Sequence, residues 1–78
     1  MISARVHFHG PIDRRGFAQD HDVALQPAST IEDLLKLLGY SPSQIRVINA
    51  VIRGEKRALS HTVREGDMIE IFVVAGGG

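Results

Sequence analysis

Apolar and polar residues alternate from Ala4 to His9, placing Val6 and Phe8 on one side and Arg5, His7 and His9 on the other. A period of two marks a strand buried on one face. Gly10-Pro11 interrupts it. The polar stretch from Asp13 to Asp20, with Gly16 inside it, leads to a second alternation at Val23 and Leu25. The two segments are expected to pair as a hairpin with a long loop.

Pro27-Ala28 ends the second strand, and two overlapping capping signatures follow, Ser29 with Glu32 and Thr30 with Asp33. Ile31, Leu34, Leu35 and Leu38 then recur at helical spacing and form one apolar stripe, which makes Leu35 a core candidate. With Gly39 at the C′ position and Pro42 barring continuation, the pattern predicts a helix of about ten residues.

Arg46 to Ile52 is rich in Val and Ile and reads as a strand buried over most of its surface. Arg53-Gly54-Glu55-Lys56 reads as a charged turn, and Arg57-Ala58-Leu59 as a short edge strand. Ser60 to Glu65 crosses back, and Gly66-Asp67 turns into a last strand, Met68 to Val74. Glu70 decides its orientation: Ile69, Ile71 and Val73 face the core, while Met68, Glu70, Phe72 and Val74 face outward.

Strand, strand, helix, strand, short strand and strand around one aliphatic core describe an α+β fold. The expected arrangement is a ubiquitin-like β-grasp, a mixed sheet of four to five strands with one main helix packed across it. The first and last strands would run parallel at the sheet centre. Residues 1–78 are expected to form a single domain with a flexible tail over 75–78.

Composition narrows the functional classes. The formal net charge is zero, with nine Lys plus Arg against nine Asp plus Glu, so the basic footprint of a nucleic-acid binder is missing. The chain contains no cysteine, which removes thiol nucleophiles and thiolate metal ligation from its own repertoire. With no apolar run of membrane-spanning length and no signal-peptide pattern at Met1-Ile2-Ser3-Ala4-Arg5, a cytoplasmic location without membrane association is expected.

The strongest chemical feature is at the other end, where the last strand runs through Ala75 into Gly76-Gly77-Gly78. Four residues reach at most about 13 to 14 Å, enough to enter a partner's active site while the folded body docks outside. Glycine gives that segment a thin profile and free dihedral choice. A terminal carboxylate, with an ordinary pKa of about 3.5, is a poor electrophile until activated. Conversion to a mixed anhydride with a nucleotide would let a sulfur or nitrogen nucleophile displace AMP.

Three segments carry a family resemblance: Thr30-Ile31-Glu32-Asp33-Leu34-Leu35, then Val47-Ile48-Asn49, then the block from Val63 through Gly66-Asp67 and Met68–Val74 to Gly76-Gly77. In these the chain resembles the MoaD/ThiS family of sulfur carriers. The resemblance implies adenylation of the terminal glycine by a MoeB/ThiF-type enzyme using ATP and Mg, followed by conversion to a thiocarboxylate. It also implies a sulfur donor and an acceptor, either the large subunit of molybdopterin synthase or thiazole synthase, in molybdopterin or thiamin biosynthesis. On this reading the chain is a protein co-substrate with no bound cofactor and no catalysis of its own.

The family ends in two glycines and this sequence in three. Gly78 is the expected reactive residue, with Gly77 taking its place if the end is trimmed. The alternatives are a ubiquitin-like modifier conjugated through its terminal glycine and a non-catalytic β-grasp interaction module.

Phe72 and Val74 are candidates for an apolar patch that docks partners, the other reading being a strand buried on both faces. His7 and His9 stand at i and i+2 on one strand face, with His21 across the hairpin, a spacing compatible with a metal. No carboxylate pattern accompanies them in sequence, so no metal site is expected. Arg14-Arg15 and Lys56-Arg57 read as solvated loop charges, and Glu32-Asp33 as helix-start residues.

Overall fold

The computed structural model describes residues 1–74, which leaves Ala75 to Gly78 outside the described residues. Strands β1 (Ile2–Phe8) and β2 (Asp20–Leu25) form an antiparallel hairpin in which Ala4 faces Val23 and Val6 faces His21. Strand β5 (Met68–Val73) pairs with β1 in parallel, with Val6 opposite Ile69 and Phe8 opposite Ile71. Strands β3 (Ile48–Ile52) and β4 (Glu55–Arg57) complete a five-stranded mixed sheet of order β2-β1-β5-β3-β4. This is the expected β-grasp topology, one of several arrangements that the element order alone permits.

The period-two pattern sorts the sheet into two faces. Ala4, Val6, Phe8, Val23, Leu25, Ile48, Ala50, Ile52, Ile69 and Ile71 are buried in one hydrophobic cluster with Ile31, Leu34, Leu35 and Leu38, and Val73 packs at its edge. At about 25 cal/mol per Å² of apolar surface removed from water, this shared burial is the main force holding helix to sheet.

Helix α1 (Ile31–Leu37) starts at Thr30, whose Oγ1 accepts from the Asp33 amide at 3.2 Å while the Asp33 carboxylate accepts from the Thr30 amide at 2.9 Å. The competing cap, Ser29, is engaged instead with the Gln26 carbonyl at 2.7 Å. The helix has seven residues, shorter than predicted although it stops where Gly39 is expected to end it, in a Schellman motif with Leu38 as the C-cap. Gly39 takes φ +98° and donates to the Lys36 carbonyl, while Tyr40 donates to that of Leu35.

Two assignments from the sequence change. Arg46 and Val47 belong to a second helix, α2 (Pro42–Val47), and the strand starts at Ile48. Pro42, expected only to bar continuation of α1, begins α2: it occupies the first turn, and Ser41 with Gln44 forms a reciprocal cap before it. The mixed sheet therefore carries two helices.

The second change lies in the β3–β4 hairpin. Arg53 and Gly54, at φ +54° and +78°, form a two-residue turn by themselves, so Glu55 and Lys56 enter the edge strand and Ala58-Leu59 leave it. Arg57 is half-buried and donates to the Ile52 carbonyl at 3.3 Å.

The long first loop is tied to the body. Ile12 enters the core, and the Tyr40 hydroxyl donates to the Asp13 carbonyl. Phe17 stacks on His21 with ring centroids 4.2 Å apart. Among the described residues no helix is long and apolar enough to cross a membrane.

Candidate functional site

Because successive side chains point to opposite faces, the register that buries Val6 and Ile69 turns a second set of residues outward. One outward row crosses all five strands: Asp20, His7, Glu70, Val51 and Lys56. The next row holds Asp22, Arg5 and Met68. On the other side lie Phe72 and Asn49, followed by Val74 where the chain leaves the sheet.

The β2 side of this face is ionic. Arg5 grips Asp22 with two hydrogen bonds, Nε to Oδ1 at 2.7 Å and Nη2 to Oδ2 at 3.3 Å. Those bonds, then the guanidinium charge, hold the Asp22 carboxyl below its ordinary range. His7 Nδ1 lies 2.6 Å from Asp20 Oδ1, and His9 Nε2 lies 2.8 Å from Glu70 Oε1. The carboxylates that sequence neighbours did not supply thus come from adjacent strands. His21 is turned toward Phe17 and does not join them.

Toward the end of β5 the same face becomes apolar. An open hollow of about 460 Å³ is lined by His9, Pro11, Val51, Glu70, Phe72 and Val73. A second, of about 520 Å³, lies among Arg46, Val47, Asn49, Val73 and Val74. Val47 and Val74 are 60% and 62% exposed, and Phe72 is half-buried. The outward face of β5 is therefore open, which excludes the reading of that strand as buried on both sides.

Ala75, Gly76, Gly77 and Gly78 are the remaining predicted site residues, and they lie outside the described residues. What the structure places is their point of departure. Strand β5 lies at the centre of the sheet between β1 and β3, so the segment after Val73 leaves from a backbone held on both sides. The hydrogen bond from the His9 amide to the Ile71 carbonyl, at 2.9 Å, extends that hold beyond β1.

Sequence reasoning missed Asp67, which the turn reading treated as a generic turn residue. It is 6% exposed and accepts from the Arg53 guanidinium at 2.6 Å and from the Arg64 amide at 2.9 Å. Gly66, at φ +82°, donates to the Ser3 carbonyl at 2.7 Å, and Arg5 donates to the Asp67 carbonyl at 2.9 Å. This knot anchors the start of β5 to β1.

Solved structures share this architecture. SAMP1 from Haloferax volcanii superposes with a TM-score of 0.73 at 24% identity, covering 97% of this chain and 99% of that one. A Pyrococcus furiosus protein described as a molybdopterin converting factor, subunit 1, gives 0.75 at 12% identity, over 94% and 98% of the two chains. A further structure of the H. volcanii small archaeal modifier protein 1 gives 0.75 at 17% identity with the same coverage. No curated protein matches. The fold is that of the small ubiquitin-like β-grasp proteins.

The model of the ThiS family matches residues 13–78, and the chain belongs to that family. Membership, together with the fold, supports a carrier of the sulfur-carrier or ubiquitin-like modifier type.

Proposed function

We propose that the protein is a sulfur carrier whose C-terminal glycine, Gly78, is adenylated by a MoeB/ThiF-type enzyme and then converted to a thiocarboxylate. The carboxylate attacks the α-phosphorus of Mg-ATP and pyrophosphate leaves. A donor persulfide then displaces AMP, and a thiol cleaves the resulting acyl disulfide by exchange, leaving sulfur on the carrier. The enzyme supplies nucleotide, metal and base; this chain supplies the carboxylate and a surface to be recognised.

The observation that carries this reading is the placement of β5. A central strand delivers the chain at exposed Val74, beside an apolar hollow containing Phe72, so a partner that docks there meets the segment leading to the glycines. The family match, which runs through Gly78, supports the chemistry assigned to those residues. We assign the sulfur to thiazole or molybdopterin synthesis in the cytoplasm, with thiazole synthase or the molybdopterin synthase large subunit as acceptor.

The likeness to the small archaeal modifier favours conjugation to lysine as the second reading. Intact mass after incubation with an activating enzyme, Mg-ATP, a persulfide donor and a thiol separates the two. Replacement of one oxygen by sulfur is the expected result, lost when Gly77 and Gly78 are deleted. Lysine-linked conjugates without sulfur incorporation would favour the modifier, and an unchanged mass would overturn both. Presenting the sulfurated protein to each acceptor in turn identifies the pathway.

A further inference from the structure

His7 and His9 lie two residues apart on the outward face of β1, with ring centroids separated by 4.4 Å and planes inclined by 66°. Each ring uses one nitrogen for a carboxylate on a neighbouring strand: His7 bonds Asp20 through Nδ1, and His9 bonds Glu70 through Nε2. In the neutral ring the bonded nitrogen carries the proton and donates, which leaves a lone pair on the other. His7 Nε2 and His9 Nδ1 are the nitrogens so freed. A carboxylate behind an imidazole fixes its tautomer and raises its basicity as a metal ligand. The side chains are 24% and 46% exposed, so an ion can reach them from solvent.

We propose that His7 and His9 form a two-imidazole site for a late first-row divalent cation of the Cu²⁺ or Ni²⁺ type. Among the described residues no three His, Asp or Glu side chains converge as a ligand set, so water completes the coordination. Imidazole nitrogen suits these ions, and affinity rises along the series toward Cu²⁺. Residues two apart on a strand are separated by about 6.6 Å along its axis, and the two rings lean together to a centroid separation of 4.4 Å, a spacing that would let one ion take a nitrogen of each at about 2 Å. Asp20 and Glu70 remain as outer partners that orient the rings.

The test uses the full, untagged chain titrated with Ni²⁺ and with Cu²⁺ by calorimetry and by NMR, where the bound paramagnetic ion broadens nearby resonances. The expected result is one equivalent bound, with broadening centred on His7, His9 and Glu70. His7→Gln and His9→Gln should each lower affinity at least tenfold, and Asp20→Asn, which keeps both ligands, about tenfold by releasing the ring. His21→Gln and His61→Gln should leave affinity unchanged. Broadening centred on the amino terminus or on His61, binding that survives the double His7→Gln/His9→Gln variant, or no binding at all would overturn the site. The broadening map is read on the unaltered protein, so the test does not depend on any variant folding.

Discussion

The Arg53 guanidinium donates to the Asp67 carboxylate across 2.6 Å, joining the tip of the β3–β4 hairpin to the turn that launches β5. Arg53 is 56% exposed while the Asp67 side chain is 5% exposed, so the pair is an outer cation closing over an inner anion. Burial pushes the Asp67 carboxyl up, but the Arg64 amide and the Arg53 guanidinium outweigh it and hold the group below its ordinary range.

A depressed carboxyl stabilises the fold above its unfolded pKa, and that contribution disappears as pH falls through the folded value. Chemical denaturation measured from pH 7 downward should show stability declining below about pH 4, the ordinary range of an aspartate. Asp67→Ala should flatten part of that decline. At neutral pH it should cost about 1 to 3 kcal/mol, because the Arg64 amide loses its acceptor.

Tyr40 gives the opposite limb. Its ring is buried, its hydroxyl donates to the Asp13 carbonyl, and burial followed by the nearby Asp13 charge pushes its pKa up. A raised acid stabilises the fold below its unfolded pKa and ceases to do so as pH rises through the folded one, so stability should fall above about pH 10. Tyr40→Phe should cost about 1 kcal/mol at neutral pH and remove the tyrosine part of the alkaline decline. Ultraviolet titration of the tyrosinate would check the direction.

Leu35 is completely buried between the helix and the sheet. Leu35→Ala should destabilise by about 2 to 5 kcal/mol in denaturant titration, through lost transfer energy and the cavity left behind. Deleting Gly77 and Gly78 should by contrast leave the unfolding midpoint unchanged. A large loss of stability on that deletion would contradict the separation of a folded body from a chemically active end.

Thr30→Ala and Ser41→Ala remove the side-chain acceptors at the starts of α1 and α2. Each should cost about 1 kcal/mol. Hydrogen exchange would localise the effect, with the Asp33 amide losing protection in the first variant and the Gln44 amide in the second. A silent Ser41→Ala would mean that Pro42 and packing alone hold α2.

Local signals account for most of the fold that is legible in the sequence. The alternation at Val6 and Phe8 and at Ile69 and Ile71 identified inward faces correctly, because a half-buried strand has no other way to sort its side chains. The α1 stripe was equally clear. The α2 helix was legible too, in Ser41-Pro42-Ser43-Gln44, but the Val and Ile that follow read as a longer strand. Capping and proline geometry decided that segment over β propensity. The edge strand moved for a similar reason: a two-residue turn at Arg53-Gly54 lets Glu55 pair immediately with Ile52.

By itself, the order of residues determined the apolar faces, the start of α1 and the glycine-rich end on which the proposed chemistry rests. These are properties of spacing along one chain. Only the tertiary structure decided that Asp20 would meet His7, that Glu70 would meet His9, and that Asp67 would be sealed beneath Arg53. Those meetings join residues 13, 61 and 14 positions apart, and they depend on strand order and register, which arise from packing the whole sheet against one core.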